Sequence, residues 1–124
     1  MATKILIVDD NLDSLDLLEL LLQRTGYETM TAPTGESGLA SARQERPDLI
    51  LLDIVLPDMD GYQVLEALRS SKETRGTPVI LITGKAQEGE KMKAHRAGAD
   101  AYLQRPFSPQ ELFRSIKGVL GEGQ

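Results

Sequence analysis

The chain has 124 residues, of which 40% are hydrophobic and 27% charged, and its net charge is −5. This size and composition predict one ordinary globular domain without a membrane span, and the negative charge argues against nucleic-acid binding. Because cysteine is missing and His95 is the only histidine, disulfides and thiolate or histidine metal clusters are excluded, so any metal must be bound by oxygen.

The N-terminus lacks the basic and apolar segments of a signal peptide, and we therefore expect a cytoplasmic protein. Short apolar runs predict strands, and segments in which apolar residues recur with helical spacing predict helices. In chain order the predicted elements are a strand at 4–8, a helix at 12–24, a strand at 27–31, a helix at 36–44, a strand at 49–52, a helix at 62–70, a strand at 79–82, a helix at 88–97, a strand at 101–103 and a helix at 109–120.

The first and last predicted helices carry clear sequence signals. The predicted apolar face of the first helix is formed by Leu12, Leu15, Leu18 and Leu22. Gly26 follows this helix as a stop signal, and Ser108 is expected to cap the last helix, with Pro109 in its first turn.

Strands that alternate with helices imply right-handed crossovers and a parallel sheet covered on both faces. The predicted fold is therefore an α/β, doubly wound (βα)5 domain that occupies residues 1–124 as a single unit.

Polar side chains close or follow four of the predicted strands, and they are Asp9, Asp10, Asp53, Thr83 and Arg105. In a doubly wound sheet the ligand crevice lies beyond the carboxyl ends of the strands, so these residues are expected to converge. Two carboxylates about 4 Å apart repel by about 4 kcal/mol at an effective dielectric of 20, and three therefore call for a cation. Mg²⁺ suits such an oxygen-only site. For Asp10 alone, capping of the first helix is the simpler interpretation, but the whole set indicates phosphoryl transfer.

The resemblance to a known family rests on four segments, which are 5–11 (ILIVDDN), 47–61 (PDLILLDIVLPDMDG), 78–84 (PVILITG) and 98–102 (GADAY). In this order and spacing they resemble the receiver domain of two-component response regulators, over about residues 3 to 120. The resemblance implies a flavodoxin-like fold with strand order 2-1-3-4-5. It also implies that a histidine kinase or histidine phosphotransfer protein donates a phosphoryl group to Asp53, with no enzyme activity beyond self-catalysed transfer and autodephosphorylation.

The resemblance also implies a role for each residue of the site. The implied Mg²⁺ ligands are Asp9 (through a bound water), Asp10, Asp53 and the backbone carbonyl of Val55. Thr83 matches the hydroxyl that hydrogen-bonds the new phosphoryl group, and Tyr102 matches the ring that moves into the vacated space. A downstream protein is expected on the face formed by the fourth helix, fifth strand and fifth helix, and the chain is expected to be a monomer or a dimer that forms on phosphorylation.

One position departs from the family, which has lysine where this chain has Arg105. Arginine ends in a planar, forked guanidinium, whereas lysine ends in a compact ammonium group. We therefore expect Asp53 to accept phosphoryl groups, but we expect Arg105 to weaken or alter the response of Thr83 and Tyr102 to phosphorylation. The resemblance also implies that two further positions affect the lifetime of the phosphorylated state, one located two residues beyond Asp53 and the other two residues beyond Thr83. Since Val55 and Lys85 offer no acid or amide to orient a water, we expect a long lifetime.

The sequence is also compatible with three alternative functions. A pseudo-receiver that signals without phosphorylation is supported by Arg105. A Mg²⁺-dependent phosphatase with an aspartyl-phosphate intermediate needs an acid where Val55 stands. A flavodoxin-like flavin carrier needs a phosphate-binding loop after the first strand, where Asp9 and Asp10 would repel phosphate.

Overall fold

The computed structural model describes residues 2–84 and 90–121, without the side chain of Glu90. The elements in this part of the chain are β1 (Lys4–Val8), α1 (Leu12–Arg24), β2 (Glu28–Ala32), α2 (Gly35–Glu45), β3 (Leu49–Asp53), α3 (Gly61–Ser70), β4 (Val79–Thr83), α4 (Glu90–Arg96), β5 (Ala101–Gln104) and α5 (Pro109–Leu120). The described strands form one parallel sheet in the order β2-β1-β3-β4-β5. The predicted α/β fold and its strand order are confirmed.

Helices cover both faces of the sheet, and alternate residues of each strand point to opposite faces, so both sets of side chains are buried. On one face, Leu6 and Leu52 pack with α2, α3 and α4 through a cluster that includes Ala42, Val64, Leu65, Leu68 and Ala94. On the other face, Ile7 and Leu51 pack with α1 and α5 through Leu15, Leu18, Leu22, Leu112 and Ile116. Both faces being apolar explains the uninterrupted hydrophobic strands, and it leaves the strand ends as the place for polar side chains.

The bounds of α1 and α5 are as predicted, but β2 starts one residue later than expected. Tyr27 takes part in the turn that closes α1, because its N–H donates to the carbonyl of Leu22, while Gly26 adopts φ +91° and its N–H donates to the carbonyl of Gln23. This pair of bonds is a Schellman ending, which requires a left-handed residue that glycine provides without strain.

Most other bounds differ from the prediction by one residue. β3 and β4 extend to Asp53 and Thr83, because these residues stay in register with Ile82 and Gln104 of the neighbouring strands. Side-chain caps at Thr34 and Asp60 move the starts of α2 and α3 one residue towards the N-terminus, to residues 35 and 61. The C-terminal ends of α2 and β5 lie one residue later than predicted, at 45 and 104, and α4 ends one residue earlier, at 96. The predicted start of the fourth helix at residue 88 lies outside the described residues.

The predicted burial of Leu12 is wrong, since 70% of this residue is exposed while Leu15, Leu18 and Leu22 are buried. Leu12 is the first residue of α1, and α1 begins beyond the carboxyl end of β1, at the rim of the sheet. Among the described helices, none combines the length and apolar character that crossing a bilayer requires.

Candidate functional site

A cleft of about 600 Å³ opens at the carboxyl ends of β1, β3 and β4. Its lining includes every strand-end residue singled out from the sequence, and consists of Asp9, Asp10, Asn11, Ser14, Asp53, Ile54, Val55, Thr83, Gly84 and Arg105. Tyr102 is not among them. It lies on β5 and lines a separate cavity of about 400 Å³ between that strand and α4.

Three carboxylates meet in this cleft. Asp9, Asp10 and Asp53 each offer one oxygen, and these oxygens lie within 4.8 Å of one another. Asp9 and Asp53 are buried, with 2% and 7% of their surface exposed, whereas Asp10 is open to solvent. The capping interpretation of Asp10 is wrong, because Asn11 is the N-cap of α1 and accepts from the backbone N–H of Ser14.

The two buried acids are oriented by the backbone in the same way. Asp9 Oδ1 accepts from the N–H of Asn11 at 3.0 Å, and Asp53 Oδ1 accepts from the N–H of Val55 at 3.0 Å. In each case the donor is the backbone N–H two residues after the aspartate, as in an Asx turn. One oxygen of each carboxylate is therefore fixed at the strand end, and the other, Oδ2, is left for the cleft.

Arg105 joins the two buried acids from the opposite side of the cleft. Its Nη2 lies 2.7 Å from Asp9 Oδ2, and its Nη1 lies 3.3 Å from Asp53 Oδ2. Nη2 also donates to Ser14 Oγ at 3.0 Å. The backbone N–H of Arg105 donates to the carbonyl of Thr83 at 2.7 Å, so the residue directly follows the β4–β5 ladder. The peptide bond between Arg105 and Pro106 is cis.

The pKa of Asp53 reflects its burial and the charged groups around it. Burial raises the pKa of Asp53 above its ordinary value, and the charge of Asp9 raises this pKa further. The N–H of Val55 and the guanidinium of Arg105 act in the opposite direction without reversing the shift. A second cation beside Asp53 would lower the pKa and favour the ionised carboxylate.

The loop that follows β3 is fixed at two points. Gly61 donates to the carbonyl of Ile54 at 2.6 Å, and a Cβ on Gly61 would lie only 2.6 Å from the carbonyl oxygen of Asp53. Asp58 accepts from the N–H groups of Gly35 at 2.8 Å and Glu36 at 2.9 Å, at the start of α2. These two bonds lower the pKa of Asp58, and the bond from Glu36 has the larger effect. The loop is thereby tied to a neighbouring helix.

The remaining predicted site residues occupy different surroundings. Thr83 is buried at the end of β4 and lines the cleft, and Val55 lines it with 68% of its surface exposed. Tyr102 is half-buried against the core face of α2, α3 and α4, and it pairs in register with Leu81, two residues before Thr83. Lys85 lies outside the described residues.

Two residues with clear roles around the site were missed from the sequence. Ser14 contacts Arg105 across 91 positions of sequence, and Asp58 reaches α2 across 22 and 23 positions. A serine in a first helical turn and an aspartate in a turn are both ordinary, so no local pattern distinguishes them.

The family model of the response regulator receiver domain matches residues 5–117. The chain belongs to this family. It is a receiver domain of two-component signalling, and the resemblance seen in its sequence is confirmed.

Individual relatives agree with this assignment. The chain is 42% identical over 120 residues to the alkaline phosphatase synthesis transcriptional regulatory protein PhoP of Bacillus subtilis, covering 97% of the chain and 49% of PhoP. It thus spans about half the length of PhoP. It is 40% identical over 117 residues to the protein PilH of Pseudomonas aeruginosa, covering 94% of the chain and 97% of PilH.

A solved structure is also similar to this receiver domain. It is the receiver domain of the sensor histidine kinase PA1611 from Pseudomonas aeruginosa PAO1, described with a magnesium ion coordinated in the active site cleft. The TM-score is 0.90 at 32% identity, covering 98% of the chain and all of the other (100%). Receiver domains bind Mg²⁺ in an acidic pocket, and the three clustered carboxylates of this receiver domain are hard oxygen donors that fit the ion.

Proposed function

We propose that this receiver domain accepts a phosphoryl group on Asp53 from a histidine kinase or histidine phosphotransfer protein. One observation carries the proposal. Asp53 is a buried carboxylate at the end of a central strand, with the guanidinium of Arg105 on Oδ2 and two further acids within 4.8 Å. An isolated buried aspartate would not need such a concentration of charged groups around it.

The transfer follows from this arrangement. An oxygen of the Asp53 carboxylate attacks phosphorus, the phosphorus–nitrogen bond of the donor phosphohistidine breaks, and its electron pair stays on the imidazole. The product is an acyl phosphate on Asp53. Because the N–H of Val55 fixes Oδ1, Oδ2 is the attacking oxygen that faces the cleft. Nη1 of Arg105 then donates to an oxygen of the transferred group, which adds electrostatic stabilisation to positioning.

Asp10, Asp53 and the backbone carbonyl of Val55 would hold Mg²⁺, with Asp9 acting through a bound water. Asp9 suits this indirect role because its Oδ2 is held by Arg105 at 2.7 Å, more tightly than Asp53 Oδ2 at 3.3 Å. When bound, the ion supplies positive charge that offsets the charge of the acids and of the phosphoryl oxygens. The residues themselves orient the acceptor.

The response to phosphorylation is proposed to run through Thr83 and Tyr102. Thr83 lies in the cleft and would hydrogen-bond the phosphoryl group, and Tyr102 on the neighbouring strand would move towards the vacated space. The face formed by α4, β5 and α5 would then present a changed surface to a downstream protein, in a monomer or a phosphorylation-dependent dimer. In this scheme residues 1–124 act as one signalling domain, which transfers the phosphoryl group only to its own Asp53.

Incubation with Mg²⁺ and acetyl phosphate, followed by intact mass measurement, tests the proposal. The wild type should gain the mass of one phosphoryl group, Asp53→Asn should gain none, and chelation of Mg²⁺ should abolish the gain. Asp16→Asn, an exposed aspartate of α1, is the matched control and should behave as the wild type. If the wild type gains no mass with Mg²⁺ present, the pseudo-receiver replaces the proposal, with Arg105 permanently bridging the acids.

A further inference from the structure

Ser14 contacts the guanidinium that joins the two buried acids of the cleft. Its Oγ accepts from Nη2 of Arg105 at 3.0 Å. Ser14 lies in the first turn of α1 and is half-buried, and its backbone N–H donates to the side chain of Asn11, the N-cap. The hydroxyl is thus carried by a segment that is itself fixed beside the acids.

The hydrogen bonds of Arg105 divide its guanidinium into two ends. Nη2 has two N–H groups and two acceptors, Asp9 Oδ2 at 2.7 Å and Ser14 Oγ at 3.0 Å. Nη1 is directed to Asp53 Oδ2 at 3.3 Å. A planar guanidinium held at Nη2 by two partners has a defined orientation, whereas without Ser14 it keeps one partner at Nη2 and the longer 3.3 Å contact with Asp53 at Nη1, which constrain it less. The ammonium group of a lysine has a single nitrogen and cannot separate anchoring from contact with the acceptor.

We propose that Ser14 is a positioning residue for phosphoryl transfer, which anchors Nη2 of Arg105 so that Nη1 faces the acceptor oxygen of Asp53. This inference rests on the proposed function for its effect on transfer, but the anchoring itself is a property of the unphosphorylated protein. Ser14 and Arg105 then act as a matched pair, in which the hydroxyl supplies the extra acceptor that arginine needs in the place of lysine.

The first test measures the guanidinium directly, without any phosphodonor. The nitrogen-15 spectrum of Arg105 should show restricted rotation, with separate Nη signals, in the wild type and in Ser14→Thr, which keeps the hydroxyl. In Ser14→Ala the exchange between these signals should be faster, because the contacts with Asp9 and Asp53 alone hold the guanidinium less firmly. Ser41→Ala on α2, which removes a half-buried helical hydroxyl outside the cleft, is the control and should leave the spectrum of Arg105 unchanged.

The second test measures the rate of phosphorylation by acetyl phosphate at saturating Mg²⁺. Ser14→Ala should lower this rate roughly three- to tenfold, as expected for loss of a hydrogen bond to a charged, partly exposed group, and Ser14→Thr should restore it. In the Arg105→Lys background the same change should alter the rate by less than about twofold, because the pair is already broken.

The outcomes separate this inference from the proposed function. Unchanged Arg105 signals in Ser14→Ala, or an equal loss of rate in the arginine and lysine backgrounds, would overturn the positioning role. Absence of phosphorylation in the wild type would instead overturn the proposed function, and the spectra would still decide whether Ser14 anchors the guanidinium. Circular dichroism of each variant establishes that it is folded.

Discussion

Replacing Arg105 with methionine removes the only cation that the described residues place between Asp9 and Asp53, while keeping an unbranched stem of similar bulk. The two acids are then left facing each other across the cleft. Both are shielded from water, since 2% of the Asp9 side chain and 10% of the Asp53 side chain are exposed. We expect Arg105→Met to be less stable than the wild type in buffer without divalent cations.

The size of the effect follows from Coulomb's law. Carboxylate oxygens within 4.8 Å of one another repel by about 3.5 kcal/mol at an effective dielectric of 20. Because 30% of the Arg105 side chain is exposed and the cleft is open, water screens part of this repulsion. The expected loss in the free energy of unfolding is therefore about 1 to 3 kcal/mol. A bound divalent cation would offset the charge of the acids in place of Arg105. Saturating Mg²⁺ should therefore stabilise the variant more than the wild type.

Urea denaturation followed by far-ultraviolet circular dichroism, in chelator and then in Mg²⁺, measures both quantities. Arg114→Met on α5 is the matched control, because this arginine is exposed and its loss should change the free energy of unfolding by less than about 0.5 kcal/mol. An Arg105→Met variant as stable as the wild type in chelator, or one that gains no more than the wild type from Mg²⁺, would refute the electrostatic reasoning.

Three further changes test the surroundings of Asp53. Gly61→Ala should lower the free energy of unfolding by about 1 to 3 kcal/mol in urea because its Cβ would meet backbone atoms at 2.6 and 2.7 Å, whereas Gly118→Ala, in open space on α5, should raise it. Asp58→Asn should lower the melting temperature at pH 7. Folding lowers the pKa of Asp58, so its ionised carboxylate stabilises the fold above the pKa of the unfolded state, and this stabilisation is lost as pH falls. The melting temperatures of the wild type and the variant should therefore converge in acid. A constant difference between them would contradict this. Val55→Asn should shorten the lifetime of the phosphorylated state, measured by loss of mass label, because an amide on the rim can orient an attacking water; an unchanged lifetime would exclude that role for the position.

The sequence was sufficient to predict the sheet and the convergence of Asp9, Asp10 and Asp53. Parallel strands buried on both faces are recognisable as apolar runs, and polar residues that follow them must meet at one edge of the sheet. Leu12 was misplaced because helical spacing gives a direction around the helix axis but not the point where the sheet beneath it ends. Its neighbour Leu15, one turn further, is buried as expected.

The hydrogen-bond partners of the site could not be predicted in the same way. Whether Arg105 reaches Asp9, Asp53 or solvent depends on four side-chain torsions and on Ser14, which is 91 positions away in sequence. The link from Asp58 to α2 depends similarly on how two loops approach each other. Such contacts follow from the packed structure, because no periodic pattern specifies them.

The position of β5 at the margin of the sheet has a consequence for how the domain can respond. Among the described strands, β5 is hydrogen-bonded to β4 alone, whereas β1, β3 and β4 each have a partner on both sides. Asp53 and Thr83 belong to these interior strands, while Tyr102 and Arg105 lie on or directly after the marginal one. A shift of β5 disturbs one ladder of hydrogen bonds, and a shift of β3 would disturb two. Asp53, the proposed acceptor, is therefore built into the stiffest part of the sheet, whereas Tyr102, which is proposed to move after transfer, lies where displacement costs the least free energy.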